Sequence, residues 1–137
     1  RFAINCGADL VTGEHTHRLS GIERYKGKYI VYDLGNFVTM ASNPINQFGP
    51  DNEYGKYDYD SMIFRQAFNV WEDGFAEPAG ITIIPCAITS QYAELINNAQ
   101  PTPYPAGGAE YLRVMARIRS YSPSSAEFDT FPIIWAE

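Results

Sequence analysis

Both histidines of the 137-residue chain lie two positions apart, His15 and His17 in Gly13-Glu14-His15-Thr16-His17, directly after the apolar run Ala8-Asp9-Leu10-Val11. A strand that ends in a His-x-His turn can aim two imidazoles at one point, and neutral imidazole is the commonest protein ligand for metals such as zinc, iron and manganese. The same spacing also occurs in ordinary loops, so the surroundings must decide between a metal site and two surface side chains. A catalytic zinc needs three protein ligands and an open position, and a two-metal centre needs more. Glu14, Asp33 and Asn36 are the nearby candidates for further ligands or for groups that contact substrate or steady the ligands. None stands at a spacing that establishes ligation by itself. The acidic residues Asp51, Glu53, Asp58 and Asp60 read as a solvated surface in a long loop.

Other chemistries find less support. No Gly-x-Ser-x-Gly nucleophile turn and no phosphate-cradling glycine loop occurs. Cys6 and Cys86 either pair or serve as small buried hydrophobes, and the absence of a motif around Cys6 favours burial. A cupin-like barrel also uses His-x-His with a following glutamate. Here Glu23 comes six residues after His17, too far for that pattern, and no third histidine exists.

The elements that must position these residues are legible in outline. Gly7 reads as a stop for a helical tail ending near Cys6. Residues 8–12 predict a short buried strand. Residues 20–25 and 29–34 predict a hairpin around Lys26-Gly27-Lys28, the second run closed by Leu34-Gly35-Asn36-Phe37. A long aperiodic stretch, 40–61, is followed by alternation from Met62 to Trp71, with Met62, Phe64, Phe68 and Val70 on one face and Gln66 interrupting. Asp73-Gly74 marks a turn. A second strand over 81–88 contains Pro85, which predicts an edge position or a bulge. Prolines 101, 103 and 105 mark an extended connector. A helix over 109–120 follows, with Tyr111, Val114, Met115 and Ile118 as its apolar stripe and Arg113 and Arg117 on a polar face. Residues 128–135 predict a final docked strand. The order of elements predicts an α/β or α+β fold with much sheet.

Composition bounds the function classes. Hydrophobic residues at 45% and charged residues at 19% fit one ordinary globular domain. A net charge of −6 without a basic run argues against nucleic-acid binding and against docking on an anionic membrane. No stretch approaches the roughly 18 consecutive apolar residues of a membrane span.

Residues 7–23, Gly-Ala-Asp-Leu-Val-Thr-Gly-Glu-His-Thr-His-Arg-Leu-Ser-Gly-Ile-Glu, resemble the GADLVxGHHPHVLQGIE segment of the CapA family of bacterial poly-gamma-glutamate capsule biosynthesis proteins. Residues 25–38 are similar to that family's YKGKxIxYSLGNFVF. The resemblance is continuous over about 32 residues. It implies a calcineurin-like metallophosphoesterase fold, an α/β sandwich flanked by helices with a two-metal centre between its sheets. It places His15 and His17 at the ligand positions of the late Gly-His-x-His motif and Asn36 in the neighbouring Gly-Asn-Phe turn. Two departures stand out: Glu14 replaces the first histidine of His-His-Pro-His, and Asp33 replaces a serine.

The family's early Asp-x-His, Gly-Asp and Asn-His-Glu/Asp motifs have no counterpart in residues 1–137. The resemblance therefore implies that the chain is the C-terminal part of one such domain. The remaining metal ligands would come from an N-terminal half, supplied as a separate chain or by exchange in a dimer. The implied cofactors are divalent metals, and the implied substrate is a phosphoester or an anionic polymer. The implied location is extracellular or cell-surface, with any membrane anchor outside this segment. Two readings of function follow: a metal-dependent hydrolase, or a non-catalytic surface protein that binds or assembles an anionic capsule polymer. Strands separated from the rest of a sandwich would expose edges and apolar faces, so the chain alone is not expected to be a stable monomer.

Overall fold

A computed structural model describes residues 1–37, 60–87 and 101–123. They form two three-stranded sheets and two helices, a mostly β mixture that agrees with the β-rich α+β expectation. Helix α1 (Phe2–Asn5) stops at Gly7, whose φ of 106° is open to glycine without strain. Strand β1 (Leu10–Thr12) follows, then the hairpin β2 (Ile22–Tyr25) and β3 (Lys28–Val31). β3 is central: it runs parallel to β1, with Val11 opposite Ile30, and antiparallel to β2, with Glu23 opposite Ile30. The connecting turn is two residues, Lys26 and Gly27, both at positive φ (52° and 78°), as the twist-matched hairpin turn requires.

The second sheet is built on a long hairpin, β4 (Asp60–Val70) and β5 (Ala76–Ala87), joined through Asp73-Gly74. Asp73 Oδ1 accepts the Phe75 N–H at 2.9 Å, which closes the turn. A bulge lies between Ala67 and Phe68, and beyond it the hairpin leaves the core, with Phe68, Val70, Trp71 and Phe75 exposed. The short β6 (Thr102–Pro103) pairs with the far end of β5, opposite Cys86 and Ala87. Helix α2 (Ala109–Tyr121) completes the described fold.

One core joins the parts. Leu19, Ile22, Tyr29 and Val31 from the first sheet meet Met62, Ile81 and Ile83 from the second. The α2 stripe of Tyr111, Val114, Met115 and Ile118 packs into the same cluster. Burying each aliphatic side chain of this kind contributes about 1.5–3 kcal/mol before entropy is counted. Ser122 fastens the end of α2: its hydroxyl donates to Ile118 O at 2.7 Å and accepts the Ile22 N–H at 2.9 Å. The opposite face of the first sheet carries the buried Ile30, with Ile4 of α1 also buried outside the main cluster.

Several sequence expectations change in detail. β1 is shorter than residues 8–12 and only half-buried, because it is the three-residue end strand of its sheet. β5 starts at Ala76 rather than at 81, since pairing with β4 holds the poor strand formers Pro78 and Gly80 in the ladder. Pro85 lies opposite Met62 in the middle strand of its sheet. The Met62 N–H points away from β5, to Leu34 O at 3.3 Å, so this pair exchanges no ladder bond, and Pro85 turns its carbonyl to the other side, where it accepts the Tyr104 N–H at 2.9 Å. Cys6 is exposed, contrary to the expected burial, because the four-residue α1 ends beside it. Cys86 is buried and both thiols are free. Asp60 is the largest correction. It opens β4 as a fully buried residue rather than joining a solvated acidic surface. Asp51, Glu53, Asp58 and the strand expected over 128–135 lie outside the described residues.

Candidate functional site

The parallel pair β1 and β3 ends on one side of the first sheet, where the two following loops meet. Binding sites of open α/β sheets characteristically form at the carboxyl ends of parallel strands. Gly13 carries the chain out of β1. Its N–H donates to Val31 O at 2.7 Å, and a Cβ at this position would lie 2.1 Å from Tyr32 O. Only glycine lets the first loop start this close to β3.

His15 and His17 both adopt positive φ, 94° and 61°. Such conformations are uncommon for residues with a Cβ and persist only where the surroundings enforce them. The enforcing group is Asp33. This carboxylate, 3% exposed, accepts the Thr16 N–H at 2.9 Å and the Thr16 hydroxyl at 2.6 Å through Oδ2. Its Oδ1 accepts the Gly35 N–H at 2.8 Å. Thr16 Oγ1 in turn accepts the Arg18 N–H at 3.3 Å. One buried anion therefore ties the His-x-His loop to the Leu34-Gly35-Asn36 turn, through bonds to charge that are stronger than neutral ones.

The second loop supplies Asn36. His17 Nδ1 donates to Asn36 Oδ1 at 2.6 Å. With its hydrogen on Nδ1, the ring presents an unprotonated Nε2 as its lone-pair donor, which is how an outer partner prepares a ligating imidazole. Gly35, at φ 75°, makes this turn possible: a Cβ there would meet Asp60 O at 2.7 Å.

Of the sequence-selected residues, His17 and Asn36 touch, and Asp33 holds the residue between the two histidines. His15 and Glu14 are exposed on the same loop and make no hydrogen bond or ion pair among the described residues. No cluster of three or more His, Cys, Asp or Glu side chains placed to hold a metal occurs among the described residues. The chain itself offers two imidazoles, one with its Nδ1 held by Asn36.

Sequence reasoning missed two participants. Thr16 is the anchoring residue of the loop rather than a spacer. Behind the second loop, Asp60 accepts from both terminal guanidinium nitrogens of Arg113 (2.7 and 2.8 Å) and from one of Arg117 (3.0 Å), while Arg113 Nε donates to Glu110 at 2.8 Å. The Tyr104 hydroxyl also reaches Asp60, at 3.4 Å. The bond to Asp60 holds the Arg113 guanidinium well above its usual range. Burial first, and the Asp60 charge second, push the Tyr104 phenol up to about 12. A signal for this cluster exists in the sequence. Asp60 shares the parity of Met62 and Phe64 on the inward face of β4, and Arg113 and Arg117 are four apart on one helix face.

On the far face of the first sheet, Glu23 is buried and accepts Arg1 Nε at 2.7 Å and the Tyr32 hydroxyl at 2.5 Å. These two bonds lower its carboxyl below the ordinary 4.5. The hydrogen bond to Glu23 raises the Tyr32 phenol.

One comparison with known proteins falls on this same region. The family model for the bacterial capsule synthesis protein PGA_cap matches residues 1–41. The PGA biosynthesis protein CapA of Bacillus subtilis is 53% identical over 38 residues, covering 28% of this chain and 10% of CapA. Two uncharacterized proteins of Sinorhizobium fredii, y4sH and y4uA, are each 41% identical over 68 residues, covering 49% of this chain and 14% of each relative. The matches thus span only a small part of the curated relatives. The resemblance to CapA-type capsule biosynthesis proteins is shown over the segment that contains His15, His17, Asp33 and Asn36.

Proposed function

We propose that the chain contributes to bacterial capsule biosynthesis, in a protein of CapA type acting at or near the cell surface. In this reading it supplies the His-x-His portion of a divalent metal centre with phosphoesterase-like hydrolase chemistry. The observation that carries the proposal is the His17–Asn36 pair, because a 2.6 Å bond to Nδ1 directs the Nε2 lone pair outward from a loop already fixed by Asp33.

The residues suit a metal in chemistry and in number of donors only as a partial site. His15 and His17 would be ligands, Asn36 would hold the His17 ring, and Asp33 would hold the loop between them. Glu14, exposed on the same loop, would meet a substrate or an outer ligand. A metal pair, when bound, acidifies water and neutralises charge on a phosphoryl or similar oxygen. The chain's own part is geometric: two imidazoles held in strained backbone conformations whose relaxation Asp33 prevents. The remaining ligands would come from an N-terminal half of the same domain, in the same protein or in a partner copy.

Hydrolysis of bis(p-nitrophenyl) phosphate by the complete protein supplied with Mn²⁺ tests this reading. Turnover that falls at least 100-fold in His17→Ala supports it. The rival reading, a non-catalytic protein that binds an anionic capsule polymer, requires no turnover with any divalent metal and unchanged polymer binding in the same variant.

A further inference from the structure

Asp60 is a wholly buried carboxylate facing two arginines, an arrangement whose desolvation often cancels its attraction. Replacing such clusters by apolar residues is frequently neutral, so stability alone does not account for it. Its location offers a different account. Asp60 is the first residue of β4, and that end of the strand lies directly on the second loop of the site. Ser61 Oγ donates to Leu34 O at 3.0 Å, and the Met62 N–H donates to the same carbonyl at 3.3 Å. Asp60 O itself lies so near Gly35 that no Cβ would fit. The next residue, Asn36, holds His17.

We propose that Asp60, fixed by Arg113 and Arg117, is a positioning residue for the His17–Asn36 pair. The two arginines belong to α2, so the cluster ties the helix to the start of β4, and β4 then sets the height of the Leu34-Gly35-Asn36 turn. Asn36 Oδ1 meets His17 Nδ1 only when that turn is seated. The ion cluster thereby sets which nitrogen of His17 carries the hydrogen. Its importance for function rests on the reading of His17 as a metal ligand, but the contact chain itself needs no metal.

The test is the ¹⁵N signature of the His17 ring in the complete, metal-free protein at a pH where the imidazole is neutral, assigned by its loss in His17→Gln. The wild type is expected to show protonated Nδ1 and unprotonated Nε2. Asp60→Asn keeps the shape and removes the charge. It is expected to move His17 toward the Nε2–H form of free imidazole while His15 does not change. Ser61→Ala, which loosens the seam without touching the arginines, is expected to shift His17 in the same direction by less. A folded Asp60→Asn protein that keeps the wild-type His17 signature overturns the proposal. If Asp60→Asn does not fold, an unchanged signature in Ser61→Ala overturns it. A complete protein that binds no metal would instead overturn the metal-site reading and leave this result standing.

Discussion

Asp33 Oδ2 accepts two hydrogen bonds from one residue, the backbone N–H and the hydroxyl of Thr16, at 2.9 and 2.6 Å. This bond pair is why two consecutive odd positions, His15 and His17, stay at positive φ. Hydrogen bonds to a buried charge contribute roughly 1.5–3 kcal/mol each. Asp33→Ala is therefore expected to destabilise the complete protein by about 2–4 kcal/mol in urea unfolding. It should also weaken divalent-metal affinity by roughly 10–100-fold, the range for loss of an outer-sphere partner. A variant with unchanged affinity would separate the loop's conformation from its ligating role.

The buried and exposed ion pairs should differ sharply. Asp60→Ala removes the buried acceptor that Arg113 and Arg117 share, although Arg113 keeps Glu110 at 2.8 Å, and is expected to cost about 3–5 kcal/mol. Asp9→Ala removes the partner of Lys28 at 2.8 Å, but Asp9 is largely exposed, and the expected cost is at most about 1 kcal/mol. Denaturant midpoints of the two variants, compared in one series, check the contrast.

These contrasts mark what the sequence could and could not show. The Lys26-Gly27 hairpin and the Tyr111, Val114, Met115, Ile118 stripe were readable because local turn chemistry and helical period agree with the final packing. Asp60 was harder to read: its parity with Met62 fits the inward face, but it follows a stretch rich in Asn, Gly, Asp and Tyr, and its partners stand 53 and 57 residues away. The start of β5 was hidden for a related reason. Ala76 to Gly80 is unlike a strand, and only pairing with β4 makes it one. Of the candidate residues, the sequence named His17 and Asn36, which touch, whereas the role of Asp33 as an anchor for Thr16 depends on where β1 and β3 end.

Acid should loosen the first sheet through Glu23. Its folded carboxyl lies below 4.5, held there first by Arg1 and then by Tyr32. A depressed value means that the folded state binds fewer protons than the unfolded one. The stabilisation is complete above pH 4.5 and is lost as pH falls below it. Glu23→Gln should therefore flatten the dependence of the unfolding midpoint below pH 4.5 and leave its shape near neutrality unchanged. Thermal melts between pH 3 and 7 read this directly, on an axis of roughly that width.

The hairpin beyond the Ala67–Phe68 bulge exposes Phe68, Val70, Trp71 and Phe75, with Val70 at 69%. Clustered apolar exposure of this kind marks a surface that associates. Residues 1–137 alone are expected to self-associate in sedimentation velocity, and Val70→Thr with Phe75→Ser should reduce that association. A clean monomer with cooperative unfolding would contradict the expectation that further structure covers this chain.

The central claim is that His15 and His17 hold a metal in the complete protein. Elemental analysis of the purified complete protein, beside its His15→Ala/His17→Ala variant, tests it most directly. The account predicts stoichiometric divalent metal in the wild type and loss of at least one equivalent in the folded variant. A wild type without stoichiometric metal, or a variant that retains all of it, would contradict the account.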